Sequence, residues 1–119
     1  MREFFSSRIK SFVFAVKGLK EFFCTQLNSW IQIAASLSVI FAGFYFDIST
    51  NEWLAVLLCI ALVFVSEIIN TAIEYLCNLV SPDYNPLAGK VKDLAAAAVL
   101  MASIFSLIVA SVVFWKYIF

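Results

Sequence analysis

The sequence contains no histidine, three glycines and two prolines, and only 13% of its residues are charged. Without histidine, the protein has no imidazole to act as a general base or as a metal ligand. With so few glycines, it has no glycine-rich phosphate loop of the Walker type. The three cysteines, Cys24, Cys59 and Cys77, are too far apart for a zinc or redox motif, and we interpret them as packing residues.

Apolar residues dominate what is present. Of the 119 residues, 64% are hydrophobic, and the mean hydropathy is +0.99. A soluble domain has about 45–50% apolar and about 25% charged residues. The composition therefore predicts an integral membrane protein with one domain, residues 1–119. The net charge of zero indicates no particular partner, and we expect none among nucleic acids.

The first 27 residues are basic and amphipathic, with five Lys or Arg against two Glu. Apolar side chains recur there at steps of three and four residues, at Phe5, Ile9, Phe12, Val16, Leu19 and Phe23. Basic residues opposite an apolar, Phe-rich face are typical of a helix that lies in the membrane interface. We therefore predict an N-terminal surface helix over residues 1–27.

Three apolar segments follow, and we predict transmembrane helices over 28–46, 53–80 and 94–117. The fold class is thus all-α. The second segment is long enough to protrude at one end, because it would extend roughly 42 Å against a hydrocarbon core of roughly 30 Å. Pro82 stops the second helix and Pro86 sustains the break, so we predict a polar connection at 81–93. Seven of the eight basic residues lie in the N-terminal segment or this connection, which places the N-terminus in the cytoplasm.

The second apolar segment contains polar residues that hydrocarbon does not favour. Glu67, Asn70, Thr71, Glu74 and Asn78 fall within an arc of roughly 100° on one helix face. An ionisable group at the bilayer centre costs roughly 2.5–3.5 kcal/mol on insertion scales. We call these five residues the polar stripe and interpret it as functional. The alternative is a seam of polar contacts between helices.

The depth of the polar stripe suits chemistry on a lipid. Glu67 lies about 21 Å inward from Trp53 at the outer interface, and Glu74 lies about 31 Å inward, near the cytoplasmic boundary. A lipid headgroup and a soluble anion could therefore meet along the stripe. Because so small a chain shields few polar groups by itself, we also expect an oligomer.

Two blocks of sequence carry a resemblance to a known family. Residues 67–74 (EIINTAIE) and 81–99 (SPDYNPLAGKVKDLAAAAV) closely resemble the small prokaryotic diacylglycerol kinases, which include the undecaprenol kinases. The similarity extends to residues 8–19 and to 43–49 (GFYFDIS). The family implies a homotrimeric enzyme of the bacterial inner membrane that transfers the γ-phosphoryl group of ATP, with Mg²⁺, to a lipid hydroxyl.

The resemblance also implies roles for individual residues. Glu67 matches the proposed general base, Asn70 the adjacent positioning amide, and Glu74 a carboxylate that binds Mg²⁺. Arg8 resembles an arginine that contacts the substrate or its phosphate. The residues that match nucleotide contacts, in addition to Glu74, are Asp83, Tyr84, Asn85, Lys92 and Asp93. The turn at 82–86 is more similar to the undecaprenol branch, so we favour undecaprenol over diacylglycerol as the substrate.

Simpler interpretations exist for several of these residues. Lys92 could be an ordinary positive charge on the cytoplasmic side, and Arg8 could only anchor the surface helix to anionic lipid. Asp93 could N-cap the third transmembrane helix. Asp83 is a good turn residue in any protein.

The chain departs from the family pattern at residues 26–31 (QLNSWI), where members usually have a second metal-binding glutamate. Gln26 takes its place and offers one neutral oxygen. Asn78 likewise replaces a frequent acidic residue. These changes support an alternative function, a catalytically weakened member that acts in membrane binding or assembly. A small transporter with a proton-coupled glutamate is a third candidate, but it would not need the Lys92–Asp93 pair.

Overall fold

The computed structural model describes all residues, 1–119, and contains four helices and no strands. They are α1 (Arg2–Thr25), α2 (Leu27–Tyr45), α3 (Thr50–Val80) and α4 (Pro86–Ile118). The last three are long and apolar enough to cross a membrane. The predicted class, all-α with three membrane helices after an N-terminal amphipathic helix, is confirmed. The chain forms two compact units, residues 1–34 and 35–119.

In the first unit, α1 leaves its apolar face uncovered. Phe5, Ile9 and Phe12 are exposed over 57–71% of their surface, as expected for a helix that places this face in lipid. The helix ends at Gln26, whose backbone is extended (φ −102°, ψ 112°). The carbonyl of Gln26 accepts hydrogen bonds from the backbone N–H and the hydroxyl of the fully buried Ser29, at 3.1 and 2.6 Å. These bonds start α2 directly after α1.

In the second unit, α2 ends in a tight left-handed turn. Asp47 has a positive φ of 51°. The N–H of Ile48 donates to the carbonyl of Gly43, and that of Asp47 donates to Phe44, at 3.1 and 3.3 Å. This is the Schellman pattern, which satisfies carbonyls left open at a helix end.

Helix α3 begins three residues before Trp53, the predicted start, because a capping box precedes it. The hydroxyl of Ser49 accepts from the N–H of Glu52 at 3.3 Å, and Glu52 Oε1 accepts from the N–H of Ser49 at 3.0 Å. Two backbone donors are thereby satisfied. The segment between the first two membrane helices, which carries Asp47 and Glu52, therefore contributes to α3 itself.

Helix α4 begins at Pro86, eight residues before the predicted start at residue 94. The prediction treated Pro86 as a helix breaker, but proline is favoured in the first turn because the N–H it lacks would be unpaired there. Asn85 is the N-cap, and its Oδ1 accepts from the N–H of Leu87 at 2.8 Å. The simpler interpretation of Asp93 as the N-cap of this helix is therefore wrong, since Asp93 lies inside α4. The actual connection is residues 81–85.

Helices α3 and α4 pack as an antiparallel hairpin. Side-chain contacts join Tyr117 to Glu52, Ser106 to the carbonyl of Cys59, and Lys92 to Asn78, so late residues of one helix meet early residues of the other. The apolar cluster lies at the Glu52 end, and its buried members are Ile48, Val56, Val113 and Phe114. The opposite end of the hairpin carries the polar stripe.

The cysteine prediction is only partly right. Cys77 is buried and Cys59 is half-buried, as expected for packing residues, but Cys24 is exposed on α1. Large apolar side chains also remain exposed on α3 and α4, for example Leu58, Leu79 and Leu107 at 69–79%. In a membrane protein such faces meet lipid or another subunit.

Candidate active site

The polar stripe lies on one face of α3 and is most buried in its first half, at Glu67 and Thr71. Glu67 is 9% exposed and Thr71 is 7% exposed. Asn70 and Glu74 are half-buried, and Asn78 is exposed. The residues share a face because three- and four-residue steps return to the same side of a helix. A carboxylate thus sits in the protected part of the stripe, and the stripe opens outward toward Asn78.

Two hydrogen bonds order the stripe from within. Asn70 Nδ2 donates to Glu74 Oε1 at 3.4 Å. The hydroxyl of Thr71 donates to the backbone carbonyl of Glu67 at 3.0 Å. Asn70 Oδ1 is buried and has no hydrogen-bond partner. A buried oxygen without a donor costs free energy, so this acceptor is suited to a ligand that supplies a donor or a cation.

A cation from α4 meets the open end of the stripe. Lys92 Nζ donates to Asn78 Oδ1 at 2.7 Å. Asn78 follows Glu74 by four residues, so the two lie on the same face about 6 Å apart along the axis. The hairpin therefore brings Lys92 to within about one helical turn of Glu74. Asp93, the next residue, is exposed.

The connection between α3 and α4 lies next to this end of the stripe in sequence and is open to solvent. Ser81 Oγ donates to the carbonyl of Asp83 at 3.1 Å and shapes the turn. Tyr84 is 92% exposed, which leaves its ring available to a ligand. The side-chain oxygen of Asn85 is engaged in capping α4. Of the predicted residues in this turn, Asp83 and Tyr84 are thus the freer ones.

Arg8 lies beside the apolar face of α1, four residues before Phe12. Its guanidinium lies over the ring of Phe4, 5.0 Å from the centroid. Lys17 makes a similar contact with Phe14, at 5.5 Å. Arg8 belongs to the first unit, and its contact with the substrate or its phosphate stays a prediction.

The donor set of α3 suits a metal that is shared with a ligand. No group of three or more Asp, Glu, Cys or His side chains lies close enough to hold an ion alone. Glu74 and the unpartnered oxygen of Asn70 are hard oxygen donors. Mg²⁺ commonly takes one or two protein carboxylates and completes its shell with phosphate oxygens and water. These residues therefore fit Mg²⁺ bound together with a phosphate ligand.

Sequence reasoning missed the contact between Asn78 and Lys92. Asn78 was placed on the polar stripe and Lys92 in the connecting loop, with no relation between them. The sequence signal that could have found the pair is Asn85 followed by Pro86, which is typical of a helix start. A helix that starts there leaves only a short turn, and Lys92 then lies back along α3. Glu52 and Tyr117 were likewise not predicted to meet at the other end of the hairpin.

Comparison with known proteins identifies the family. The family model described as prokaryotic diacylglycerol kinase matches residues 13–114. The chain belongs to the prokaryotic diacylglycerol kinase family. It is 37% identical over 105 residues to the undecaprenol kinase of Bacillus subtilis strain 168. The aligned region covers 88% of this chain and 85% of that protein.

More distant members include diacylglycerol kinases. That of Escherichia coli strain K12 is 26% identical over 113 residues, covering 95% of this chain and 93% of that protein. That of Synechocystis is 36% identical over 100 residues, covering 83% of this chain and 57% of that protein. The match to the family model includes both blocks of the resemblance, 67–74 and 81–99. The chain is therefore a lipid kinase of this membrane-protein family.

Proposed function

We propose that the protein transfers the γ-phosphoryl group of ATP to the hydroxyl of a membrane lipid in an Mg²⁺-dependent reaction. The observation that carries this proposal is a buried glutamate, Glu67, on a stripe whose exposed end meets a lysine, Lys92. Such a stripe offers a protected end to a lipid hydroxyl and a cationic end to phosphates.

Glu67 is the residue we assign as general base. A carboxylate that is 9% exposed is partly shielded from water, and its backbone carbonyl is fixed by Thr71. The lipid hydroxyl would donate its proton to the Glu67 carboxylate as its oxygen attacks the γ-phosphorus atom. The bond from that phosphorus to the β–γ bridging oxygen breaks in the same step, and ADP leaves. A positioned base contributes typically 10²- to 10⁴-fold to the rate.

Glu74 is the residue we assign to Mg²⁺. The hydrogen bond from Asn70 at 3.4 Å orients one oxygen of the Glu74 carboxylate and leaves the other for a ligand. When bound, Mg²⁺ supplies positive charge that neutralises phosphate oxygens. Asn70 therefore acts as a positioning residue between the base and the metal-binding carboxylate.

The nucleotide would be held at the open end of the stripe and in the turn beside it. Lys92 supplies a positive charge to the phosphates. Tyr84, with its exposed ring, and Asp83 and Asn85 of the connection supply further contacts, together with Asp93. Since the chain has no glycine-rich loop, these side chains replace the backbone cradle of other kinases.

Arg8 is assigned to the substrate or its phosphate. Arg8 borders the apolar face of α1, so its side chain would lie at the level of lipid headgroups when that face is in the membrane. A guanidinium is well suited to phosphate oxygens, which it can bind with two hydrogen bonds. We favour substrate contact because the family resemblance assigns that role to this position, while the other four basic residues of α1 can anchor the helix to anionic lipid.

Undecaprenol is the substrate we favour. The undecaprenol kinase of B. subtilis is 37% identical to this chain, against 26% for the E. coli diacylglycerol kinase, at nearly equal coverage of the aligned proteins. The similarity of the turn at 82–86 to the undecaprenol branch points the same way. A long polyprenol and a diacylglycerol both place one hydroxyl at the interface, so the glutamate chemistry suits either.

We further propose a homotrimer in the bacterial inner membrane, with the N-terminus in the cytoplasm. The exposed apolar side chains of α3 and α4 offer the surface for assembly. The seven basic residues on the N-terminal side support the orientation. Residues 1–119 would then act as one lipid-kinase domain per subunit.

One observation favours a second candidate, a weakened enzyme with a binding or assembly role. Gln26 lies where the family usually has a metal-binding glutamate, and its Nε2 donates to Thr25 Oγ1 at 3.3 Å. A neutral oxygen compensates less of the charge of Mg²⁺ than a carboxylate does. In this case metal binding would depend mainly on Glu74.

The test is phosphate transfer from labelled ATP by the purified protein in lipid bilayers. Undecaprenol and diacylglycerol are supplied side by side, with and without Mg²⁺. We expect labelled undecaprenyl phosphate, formed only with Mg²⁺ and faster than phosphatidic acid. No transfer to either lipid by folded trimeric protein would contradict the proposal and favour the weakened member.

A further inference from the structure

The cation at the open end of the polar stripe is held by a neutral partner. Lys92 Nζ donates to the amide oxygen of Asn78 at 2.7 Å, across the α3–α4 hairpin. The Lys92 side chain is half-buried, so its long stem is partly confined between the helices. An amide oxygen fixes the direction of an ammonium group but removes none of its charge.

A carboxylate at position 78 would act differently. It would form an ion pair with Lys92 and offset the positive charge that phosphates would otherwise meet. It would also add a second negative charge one turn from Glu74, on the same face of α3. The ATP polyanion would then meet a more negative surface.

We propose that Asn78 is a positioning residue that presents Lys92 as an uncompensated cation to the phosphates of the nucleotide. This inference rests on the proposed function, because it concerns the same nucleotide. Asn78 acts through Lys92 and need not touch the nucleotide itself. Compared with a site that has an acidic residue at position 78, this site leaves more of the lysine charge available to neutralise the phosphates.

The position of the pair supports this role. Asn78 lies about 6 Å along α3 from Glu74, the residue assigned to Mg²⁺. The head of Lys92 therefore lies within one helical turn of the place where phosphate oxygens would meet the metal. The exposed side of Asn78 leaves space for phosphates beside the lysine.

The experiment measures equilibrium binding of labelled ATP to the purified full-length protein in bilayers, in EDTA and in Mg²⁺. The variants are Asn78→Asp, Lys92→Gln and the double variant. Asn51→Asp is the matched control, because it adds the same charge at an exposed site in the first turn of α3, at the far end of the helix.

We expect Asn78→Asp to weaken ATP binding in EDTA about tenfold, and Lys92→Gln to weaken it at least as much. In the Lys92→Gln background, the Asn78→Asp change should have little further effect. Such non-additivity is the sign that Asn78 acts through the lysine. Asn51→Asp should bind ATP as the wild type does.

Other results would overturn the inference. If Asn78→Asp bound ATP as tightly as the wild type while its thermal midpoint rose, the pair would be only a link between helices. An equal loss with and without Lys92 would mean that the carboxylate repels ATP directly. Wild-type protein that binds no ATP would also refute it.

The experiment distinguishes a wrong role for Asn78 from a wrong proposed function. Wild-type protein that binds ATP with the expected variant pattern, yet phosphorylates no lipid, would contradict the function alone. Lipid phosphorylation with unchanged ATP binding in Asn78→Asp would contradict the role of Asn78 alone.

Discussion

The side-chain amide of Asn70 donates a hydrogen bond to Oε1 of Glu74 at 3.4 Å, one helical turn away on α3. The other end of the same amide, Oδ1, is buried without a partner. Asn70 therefore orients the carboxylate that we assign to Mg²⁺, and its own Oδ1 remains able to accept a hydrogen bond from a ligand. Asn70 lies between Glu67, the residue we assign as base, and Glu74 on the same face of α3.

Replacing Asn70 should weaken metal use without unfolding the protein. In Asn70→Ala the Glu74 carboxylate loses its donor, and loss of such an outer partner typically costs about 10- to 100-fold in metal affinity or activity. We expect the Mg²⁺ concentration for half-maximal phosphate transfer to rise. Asn51→Ala, at an exposed site at the far end of α3, is the control. An unchanged Mg²⁺ curve for Asn70→Ala would show that Asn70 does not support the metal site.

Restoring an acid at position 26 should have the opposite effect. Gln26→Glu adds a charged oxygen where the family usually has a metal-binding glutamate, and a carboxylate binds Mg²⁺ more strongly than an amide. We expect half-maximal activity at a lower Mg²⁺ concentration. Glu21→Gln, which alters charge five residues earlier on α1, should leave the Mg²⁺ concentration for half-maximal phosphate transfer unchanged. No shift in Gln26→Glu would place Gln26 away from the metal.

The contact between Gly43 and Trp53 should limit what position 43 tolerates. A Cβ atom added at Gly43 would lie 2.6 Å from the nearest atom of the Trp53 ring, well inside contact distance. Overpacking of this kind typically costs about 1–3 kcal/mol. We expect Gly43→Ala to lower the stability of the protein in detergent, as measured by denaturant unfolding.

Gly18 provides the control for that substitution. An added Cβ there meets no atom within 4 Å, and the residue lies inside α1. Alanine in a helix interior is favoured over glycine by about 0.5–1 kcal/mol. Gly18→Ala should therefore be neutral or stabilising. Equal stability of both variants would mean that the Trp53 ring moves aside freely.

The helices were predictable because lipid and the 3.6-residue repeat constrain them strongly. The apolar face of α1 and the three apolar segments are visible in sequence, and all four helices form. The polar stripe from Glu67 to Asn78 was visible for the same reason, since steps of three and four residues need no tertiary information. The helices and the polar stripe were therefore predictable, because both depend only on local periodicity.

The helix starts and the cross-helix contacts were not predictable in this way. Pro86 was interpreted as a breaker, although it opens α4 behind the Asn85 cap. The alternative role of Asp93 as an N-cap rested on the same late start of α4. The pairing of Lys92 with Asn78 depends on how tightly residues 81–85 turn, which propensity alone does not specify.

The most direct test of the account is phosphate transfer by Glu67→Gln beside wild-type protein, with Glu3→Gln as a control on the exposed part of α1. Glutamine keeps the shape of the side chain but is not a base. We predict that Glu67→Gln folds and binds ATP but loses turnover by at least about 100-fold, while Glu3→Gln retains it. Near-wild-type transfer by Glu67→Gln would contradict the assignment of the base and the account of the polar stripe.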